Sequence, residues 1–336
     1  MKVWKYASTV GGLEKHLKLL QSEPLPKPKT DQHLIQVVAA SLNPVDYKPV
    51  EAPIIGRFTV NTPATPGIDF SGRIVKPAPG SHFKPGQLVL GTVYDQATAG
   101  GALAEYISAD ANKIVAIPSA LSALQAAGIP IAASTAYGSL EPYIKQCSRV
   151  FINGGSGGVG TFAIQIAKAL GAHVTISCSA RNIDLCRSLG ADEVLDYTAR
   201  PLLHQLREAA AANGAFDHVV DNAFSDPALY FHAHSYTTPS AKFVEVGWGP
   251  SAACLRFILA AKLLPGFLGG GRRKMVVLMA DTSCERLEKI GSLVSDGKVK
   301  VVVDSVFSMG DAPEAFQRLK SSRAVGKVIV DVAGEK

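Results

Sequence analysis

The stretch that most constrains this chain is RVFINGGSGGVGTFAIQIAK, from Arg149 to Lys168. An apolar strand runs into a glycine-rich turn, and the turn opens a helix. Gly155, Gly157 and Gly160 have the spacing G-x-G-x-x-G. In that context each glycine has its own reason. Gly155 allows the tight turn, Gly157 lets backbone approach a pyrophosphate, and Gly160 lets the helix pack against the strand. The unpaired N–H groups of the helix's first turn, at the positive end of its dipole, would hold the phosphates. Gly155, Ser156, Gly157, Gly158, Val159 and Gly160 are therefore the expected phosphate-binding turn. The alternative, a packing turn without a ligand, sits poorly with the repeated βα units downstream.

From Ser122 onward strands and helices alternate. Ser122 and Gln125 have the S-x-x-Q spacing of a capping box and open an alanine-rich helical stretch. VFING and TFAIQIAKAL follow, then HVTIS and RNIDLCRSL, EVLDY and PLLHQLREAAAA, FDHVV, and KFVEVG. Alternation of this kind implies a parallel sheet covered by helices. Upstream lie short β-rich runs such as HLIQVVAASL, GIDFSGRIV, QLVLGTV and NKIVAIP, broken by proline and glycine clusters as in an irregular β-barrel. The tail holds KMVVLMA, a helix around CERLEKIGSLV, VKVVVDSVF, PEAFQRLK and KVIVDV. The expected division is a doubly wound α/β domain over 122–267 and a barrel over 1–121 with 268–336, which suits a chain of 336 residues.

The nature of the dinucleotide is written at the end of HVTIS. NAD-binding versions of the turn carry an acidic residue about 20 positions on, holding the ribose 2′-OH. Here ISCSARN (Ile176–Asn182) has none. Ser177, Ser179, Arg181 and Asn182 stand there instead, hydroxyls and a guanidinium suited to a 2′-phosphate dianion. Tyr197, ending the next strand, could reach the same phosphate. The expected cofactor is NADPH.

Composition excludes several classes. The five cysteines are odd in number and form no CxxC pair, so neither a zinc knuckle nor a disulfide framework is expected, and a reducing, cytoplasmic setting is. The net charge is +6 and the tight basic cluster RRK (272–274) has no aromatic residues interleaved, so no nucleic-acid partner is expected. The opening MKVWKYASTVGGLEKHLKL has no apolar block of the secretory type. AACLRFILAAKLLPGFLGG (Ala252–Gly270) is apolar, but Arg256, Lys262 and Pro265 interrupt it. It reads as a buried or substrate-lining helix and not as a membrane span.

The chain resembles the medium-chain dehydrogenase/reductase superfamily across nearly its full length. The resemblance rests on SLNPVDYK (41–48), PGIDFSG (66–72), FKPGQLVLG (83–91), GALAEY (101–106), STAY (134–137), the glycine turn, SLGADEVLDY (188–197), KFVEVG (242–247) and LKSSRAVGKVIV, in that order. Within the superfamily it is similar to the zinc-independent quinone reductase and enone/enoyl reductase branch, and NPVDYK is similar to plant-type NADPH enone reductases. The resemblance implies a GroES-like (chaperonin-10-like) β-barrel catalytic domain, a Rossmann cofactor domain, a cleft between them and a homodimer. Zinc alcohol dehydrogenases carry a cysteine near the start of the NPVD region and a His-Glu pair in the PGID region. Asn43-Pro44-Val45-Asp46 and Gly67-Ile68-Asp69 stand here, and the four-cysteine lobe is missing, so no metal is expected. The mitochondrial-type enoyl thioester reductases use a tyrosine about eleven residues after the asparagine; the PIIGRF segment has none.

Hydride from a nicotinamide adds to a quinone or to the β-carbon of an alkene conjugated to a carbonyl, and charge develops on the carbonyl oxygen. Without a Lewis acid, donors must stabilise that oxygen. The expected catalytic residues are Asn43, holding the nicotinamide ribose or donating toward the substrate; Lys48, placed by resemblance at the enolate oxygen; and Asp46, orienting Lys48. The resemblance further assigns Thr135 to the nicotinamide ribose, Asn222 and Gly247 to the carboxyl ends of strands where ligands bind, and Lys327 to the cofactor. Tyr47, Phe58, Trp248 and the 252–268 segment would line the acceptor pocket. The expected activity is NADPH-dependent and zinc-independent, on a small-molecule quinone, enone or enoyl substrate. Two alternatives stand beside it: a trans-acting enoyl reductase on a carrier-bound polyketide or acyl chain, and a non-catalytic NADPH-binding scaffold.

Overall fold

A computed structural model of the chain describes residues 1–52, 56, 60–93 and 101–334. Fifteen strands run through them: β1 (Val3–Lys5), β2 (Lys18–Leu20), β3 (Gln32–Leu42), β4 (Asp69–Lys76), β5 (Leu88–Thr92), β6 (Tyr106–Asp110), β7 (Ile114–Ala116), β8 (Arg149–Asn153), β9 (His173–Cys178), β10 (Glu193–Asp196), β11 (Phe216–Asp221), β12 (Thr237–Glu245), β13 (Lys274–Val277), β14 (Val303–Ser308) and β15 (Lys327–Asp331). The chain divides into two units. One comprises Met1–Ser134, Asp281–Gly297 and Val301–Lys336, the other Thr135–Ala280 and Lys298–Lys300.

The first unit is built on a seven-stranded sheet of order β14-β15-β3-β4-β5-β7, with β6 also pairing β3. Every pair is antiparallel except β14 with β15. Ile35, Val37, Phe70, Ile74, Phe316 and Val330 are all at most 1% exposed and form its core. Burial of each such side chain contributes roughly 1.5–3 kcal/mol. Two registers position the polar end of this sheet. β15 returns from the far end of the chain to lie on β3 with Val328 opposite Leu42, and β4 flanks β3 with Asp69 opposite Ser41. The strand β6, five residues long, begins at Tyr106, the last residue of the GALAEY motif. The capping box is formed: Gln125 N donates to Ser122 Oγ at 3.3 Å and Ser122 N donates to Gln125 Oε1 at 3.2 Å. It opens the helix Ala123–Ala127, and after a break at Gly128 the helix Pro130–Leu140 follows.

The second unit is a six-stranded sheet of order β10-β9-β8-β11-β12-β13, parallel throughout. Parallel neighbours require crossovers, which the helices Gly158–Ala169, Ile183–Ser188 and Leu202–Asn213 supply between successive strands from β8 to β11. The order reverses at β8, with β9 and β10 on one side and β11 to β13 on the other. Open α/β sheets bind ligands at such a switch point, outside the carboxyl ends of the strands.

Two boundaries differ from the expectation. The first unit extends past 121 to Ser134, because the alanine-rich helix Ala123–Ala127 packs on β3 and β4. The second extends past 267 to Ala280, because KMVV becomes β13, pairing β12 with Lys274 opposite Lys242. A four-residue apolar strand does not announce which sheet it joins. The apolar segment, read as buried or substrate-lining, is buried on one face only. The helix Ala252–Leu263 buries Cys254 and Phe257, while Leu255, Leu259 and Leu263 are exposed. Its residues are apolar on nearly every side, a pattern that reads as burial whichever face is covered. No helix among the described residues is long and apolar enough to cross a membrane.

Candidate active site

The first unit gathers four ionic or amide side chains at one end of its sheet. Asn43 follows the last residue of β3, Asp69 opens β4 and Lys327 opens β15, so the pairing of β15 and β4 with β3 brings them together across hundreds of residues of sequence. Asp46 joins from the single 3-10 turn Pro44–Asp46. All four are buried: Asn43 3%, Asp46 6%, Asp69 0% and Lys327 3% exposed. Lys327 Nζ donates to Asn43 Oδ1 at 2.5 Å and to Leu42 O at 3.3 Å, and lies 3.9 Å from Asp69 Oδ2. Asn43 Nδ2 donates to Asp69 Oδ2 at 2.9 Å and to Ser41 O at 3.3 Å. Asp69 also accepts the backbone N–H of Ile131, and Asp46 Oδ2 accepts that of Asn43 at 2.6 Å.

This network fixes the Asn43 amide. An ammonium can only donate, so the atom facing Lys327 must be the oxygen and the amide nitrogen must face Asp69. Both hydrogens of Nδ2 are then taken, leaving Oδ1 one lone pair. Asn43 is thus disposed to accept from a ligand hydroxyl and not to donate toward a substrate oxygen. Burial pushes the Asp46 carboxyl up to about 8, an effect its hydrogen bond from Asn43 opposes and the nearby Asp69 reinforces. Burial also pushes Asp69 up to about 7 against the pull of Lys327 and Asn43, and burial lowers Lys327 against the pull of both carboxylates. Asn43, Asp69 and Lys327 act on Asp46; Lys48 sits half-buried on the one-turn helix Lys48–Glu51. Asp69 was missed as a participant, although a lone carboxylate inside the apolar PGIDFSG run was the signal for it.

The second unit holds the glycine turn at the switch point. Gly154 N donates to Ser177 Oγ at 3.0 Å and Gly155 N to Ser177 O at 2.9 Å, tying the turn to the end of β9. Ser177 Oγ in turn donates to Asn153 Oδ1 at 2.5 Å, and Asn153 Nδ2 donates to Asp221 Oδ1 at 2.8 Å, which links β9, β8 and β11. A Cβ on Gly160 would stand 2.1 Å from Gly154 O, so no other residue fits there. A Cβ on Gly157 would meet nothing nearer than 3.6 Å, so that side of the turn is open to a ligand. Gly158 and Val159 occupy the first turn of the helix Gly158–Ala169, where backbone N–H groups lack intrahelical acceptors.

The residues expected at the 2′-phosphate separate into two groups. Ser177 is fully buried and Asn182 donates to Ser156 Oγ at 2.9 Å, so both hold the turn itself. Ser179 is half-buried, and Arg181 and Tyr197 are exposed beside it on the loops that end β9 and β10. Asn222 follows the last residue of β11, and neither its Oδ1 nor its Nδ2, both buried, finds a partner among the described residues. Gly247 packs so closely on the Asn222–Ala223 backbone that a Cβ would stand 2.8 Å from it. Thr135 is buried in the helix Pro130–Leu140. Of the pocket candidates, Tyr47 packs against the first unit's core under the Lys320 ammonium, and Trp248 Nε1 donates to Leu278 O at 3.4 Å. Phe58 lies outside the described residues. A cavity of about 520 Å³ lined by Met1, Lys5, Glu23 and Tyr106 contains none of these candidates.

With this geometry in hand, comparison with known proteins is decisive. Residues 29–119 match the alcohol dehydrogenase GroES-like domain and residues 189–330 the zinc-binding dehydrogenase domain. The chain is 43% identical to the trans-enoyl reductase pgmF of Aspergillus terreus over 99% of its own length and 96% of that protein's. The chain belongs to the medium-chain dehydrogenase/reductase superfamily. Its relatives within the superfamily include the chloroplastic quinone-oxidoreductase homolog of Spinacia oleracea, 32% identical over 98% of both chains. Its fold matches the quinone oxidoreductase from Coxiella burnetii with a TM-score of 0.84 at 29% identity, over 99% of each chain. This superfamily member therefore combines a GroES-like domain with a parallel-sheet, Rossmann-like NAD(P)-binding domain, in the branch of quinone and enoyl reductases.

The family description carries the word zinc, and the donor set does not fit it. Among the described residues no three His, Cys, Asp or Glu side chains converge as metal ligands, and the NPVD and PGID segments hold neither cysteine nor histidine. A dinucleotide fits far better. The turn excludes a side chain at Gly160, leaves room at Gly157, and is flanked by the unpartnered amide of Asn222.

Proposed function

We propose that the protein is an NADPH-dependent, zinc-independent reductase of quinones or of the activated C=C of α,β-unsaturated carbonyl compounds. The observation that carries the choice of cofactor is the loop after β9, where Ser179 and the exposed Arg181, with Tyr197 just after β10, stand at the sequence position of the ribose-binding carboxylate, while the neighbouring Asp196 is engaged by Thr198 and the Ala180 backbone. A carboxylate there would repel a 2′-phosphate; a guanidinium forms charge-assisted hydrogen bonds with it. The amides of 155–160 would hold the pyrophosphate, and Thr135, Asn222 and Gly247 the nicotinamide half.

Bound NADPH supplies the hydride that reduces the electron-poor carbon. The chain's own part is to receive the negative charge that develops on the substrate oxygen and to protonate the product. Lys48 is the proposed cation at that oxygen. Asn43 offers the remaining lone pair of Oδ1 to a ligand hydroxyl, and Asp46, Asp69 and Lys327 hold that amide in orientation. Lys327 thus acts through Asn43 and not by reaching the cofactor. The carboxylates, raised to about 8 and about 7, keep protons available near neutral pH.

A second reading has one observation in its favour. The relatives at 43% identity are named trans-enoyl reductases, which makes a carrier-bound enoyl chain a candidate acceptor. NADPH consumption with a free quinone and a free vinyl ketone, set beside acyl-carrier and acyl-CoA enoyl thioesters, separates the two. Turnover of the free electrophiles supports the first reading, turnover of thioesters alone the second. Tight NADPH binding with turnover of neither leaves a scaffold. The homodimer implied by the resemblance and the cytoplasmic setting read from the cysteines belong to the same proposal, and sedimentation of the purified chain tests the first of them.

A further inference from the structure

The second unit presents an apolar ridge that no other described part of the chain covers. On the helix Ala252–Leu263, Leu255, Leu259 and Leu263 are 59%, 47% and 73% exposed, one above another at i, i+4 and i+8. Leu264 and Leu268 continue the row through the following turn, at 44% and 63% exposed. The helix is not frayed. Ser251 caps it by accepting from Cys254 N, and Phe257 anchors it among Phe224, Tyr230 and Phe231 with ring centroids 5.1–5.7 Å apart. The leucines are therefore held outward on a rigid mount.

Charge identifies what covers them. From Val246 to Ala280 the chain has no acidic residue, and it has Arg256, Lys262, Arg272, Arg273 and Lys274. Arg256 and Lys262 flank the leucine row on the two sides of the helix, both exposed. Arg272, also exposed, runs along the turn after the helix, its Cγ about 3.0 Å from where a side chain on Gly266 would start. None of these three pairs with an acidic residue among those described. A second copy of this face would set cations against cations. A protein groove would need a shape matched to a convex ridge, whereas a bilayer surface accepts one without such a match. An apolar row edged by lysine and arginine can rest on an anionic membrane surface, its leucines among the acyl chains and its cations at the headgroups.

We propose that the leucine row at 255–268, with Arg256, Lys262 and Arg272, docks the protein on the surface of an anionic lipid bilayer. The helix lies on the membrane and does not cross it.

The test is co-sedimentation of the full chain with phosphatidylcholine vesicles and with vesicles in which about a third of the lipid is phosphatidylserine. The expected result is binding to the anionic vesicles that falls as salt is added. The double variant Arg256→Glu/Lys262→Glu should bind at least about tenfold more weakly, and so should Leu255→Ser/Leu259→Ser/Leu263→Ser. Circular dichroism checks the fold of each variant, and if the leucine variant is unstable the charge variant decides. Failure to bind anionic vesicles overturns the proposal, as does binding that neither variant weakens. Two further results would also overturn it: a dimer that the leucine substitutions dissociate, with no vesicle binding, assigns the ridge to a second copy; capture of an acidic carrier domain through the same residues, again without vesicle binding, assigns it to a protein.

Discussion

Replacing Asp46 by asparagine should change how stability depends on pH more than it changes stability itself. The carboxyl is wholly buried, and desolvation, with Asp69 nearby, raises it from 3.8 to about 8 in spite of the hydrogen bond from Asn43 N and the attraction of Lys327. The folded chain thus keeps a proton that the unfolded chain gives up above about pH 4. Because the native state binds more protons across that window, stability falls as pH rises through it, by up to about 1.4 kcal/mol per pH unit. Between about pH 5 and about pH 8 Asp46 should remove about 4 kcal/mol from the first unit. Asparagine keeps an oxygen for Asn43 N and does not titrate. It places an amide N–H₂ where the protonated carboxyl holds a single O–H, at Oδ1, which has no partner among the described residues; the additional unpartnered N–H costs about 1–3 kcal/mol, the same at every pH. Urea unfolding read by the fluorescence of Trp4, buried in the first unit, in a Trp248→Phe background, measures the difference directly. The variant should be the less stable protein at low pH and gain on the wild type steadily toward high pH. Two parallel profiles over that range would refute the assignment of a retained proton to Asp46.

Other consequences are open to measurement. Arg181→Ala should raise the KM for NADPH about tenfold or more and leave that for NADH nearly unchanged, as expected for a lost charge-assisted contact; equal effects would remove Arg181 from the 2′-phosphate. Gly160→Ala would push a methyl to 2.1 Å from Gly154 O, so calorimetry should show NADPH affinity reduced at least about tenfold, in keeping with a turn forced out of shape. His218 is buried, with Nε2 on Ser139 O at 2.7 Å and its ring stacked on Tyr143, and burial lowers it to about 4. Its unfolded form binds a proton that the native form refuses, so stability should drop by up to about 3 kcal/mol as pH falls from about 6.5 to about 4, and His218→Gln should flatten that acid limb in thermal melts.

Much of this was legible in the sequence, and the remainder divides along a physical line. The glycine turn and the βα alternation are local patterns, and both are found where they were read. The capping box at Ser122 is equally local, and its two hydrogen bonds are present. What could not be read is register between distant strands. Lys327 and Asn43 are separated by 284 positions and meet only because Val328 of β15 pairs with Leu42 of β3. Asp69 enters the same cluster through its pairing with Ser41. For the same reason the influence of Asp69 and Lys327 on Asp46 could not be read from its near neighbours in sequence. Ser177 looked like a phosphate ligand by composition. It lies inward on β9, where its hydroxyl supports the turn from beneath. The apolar run after Trp248 was read as buried because periodicity reports how apolar a helix is and not which of its faces another surface covers.

Hydride reduction with no metal to assist is the claim on which the proposed chemistry depends. The direct test is NADPH oxidation by the purified chain with a quinone and a vinyl ketone, run with a metal assay on the same sample and repeated after exhaustive chelation. The predicted result is turnover of at least one electrophile, with far less than one equivalent of zinc and no loss on chelation. Activity that tracks bound zinc, or tight NADPH binding with no electrophile reduced, would contradict it.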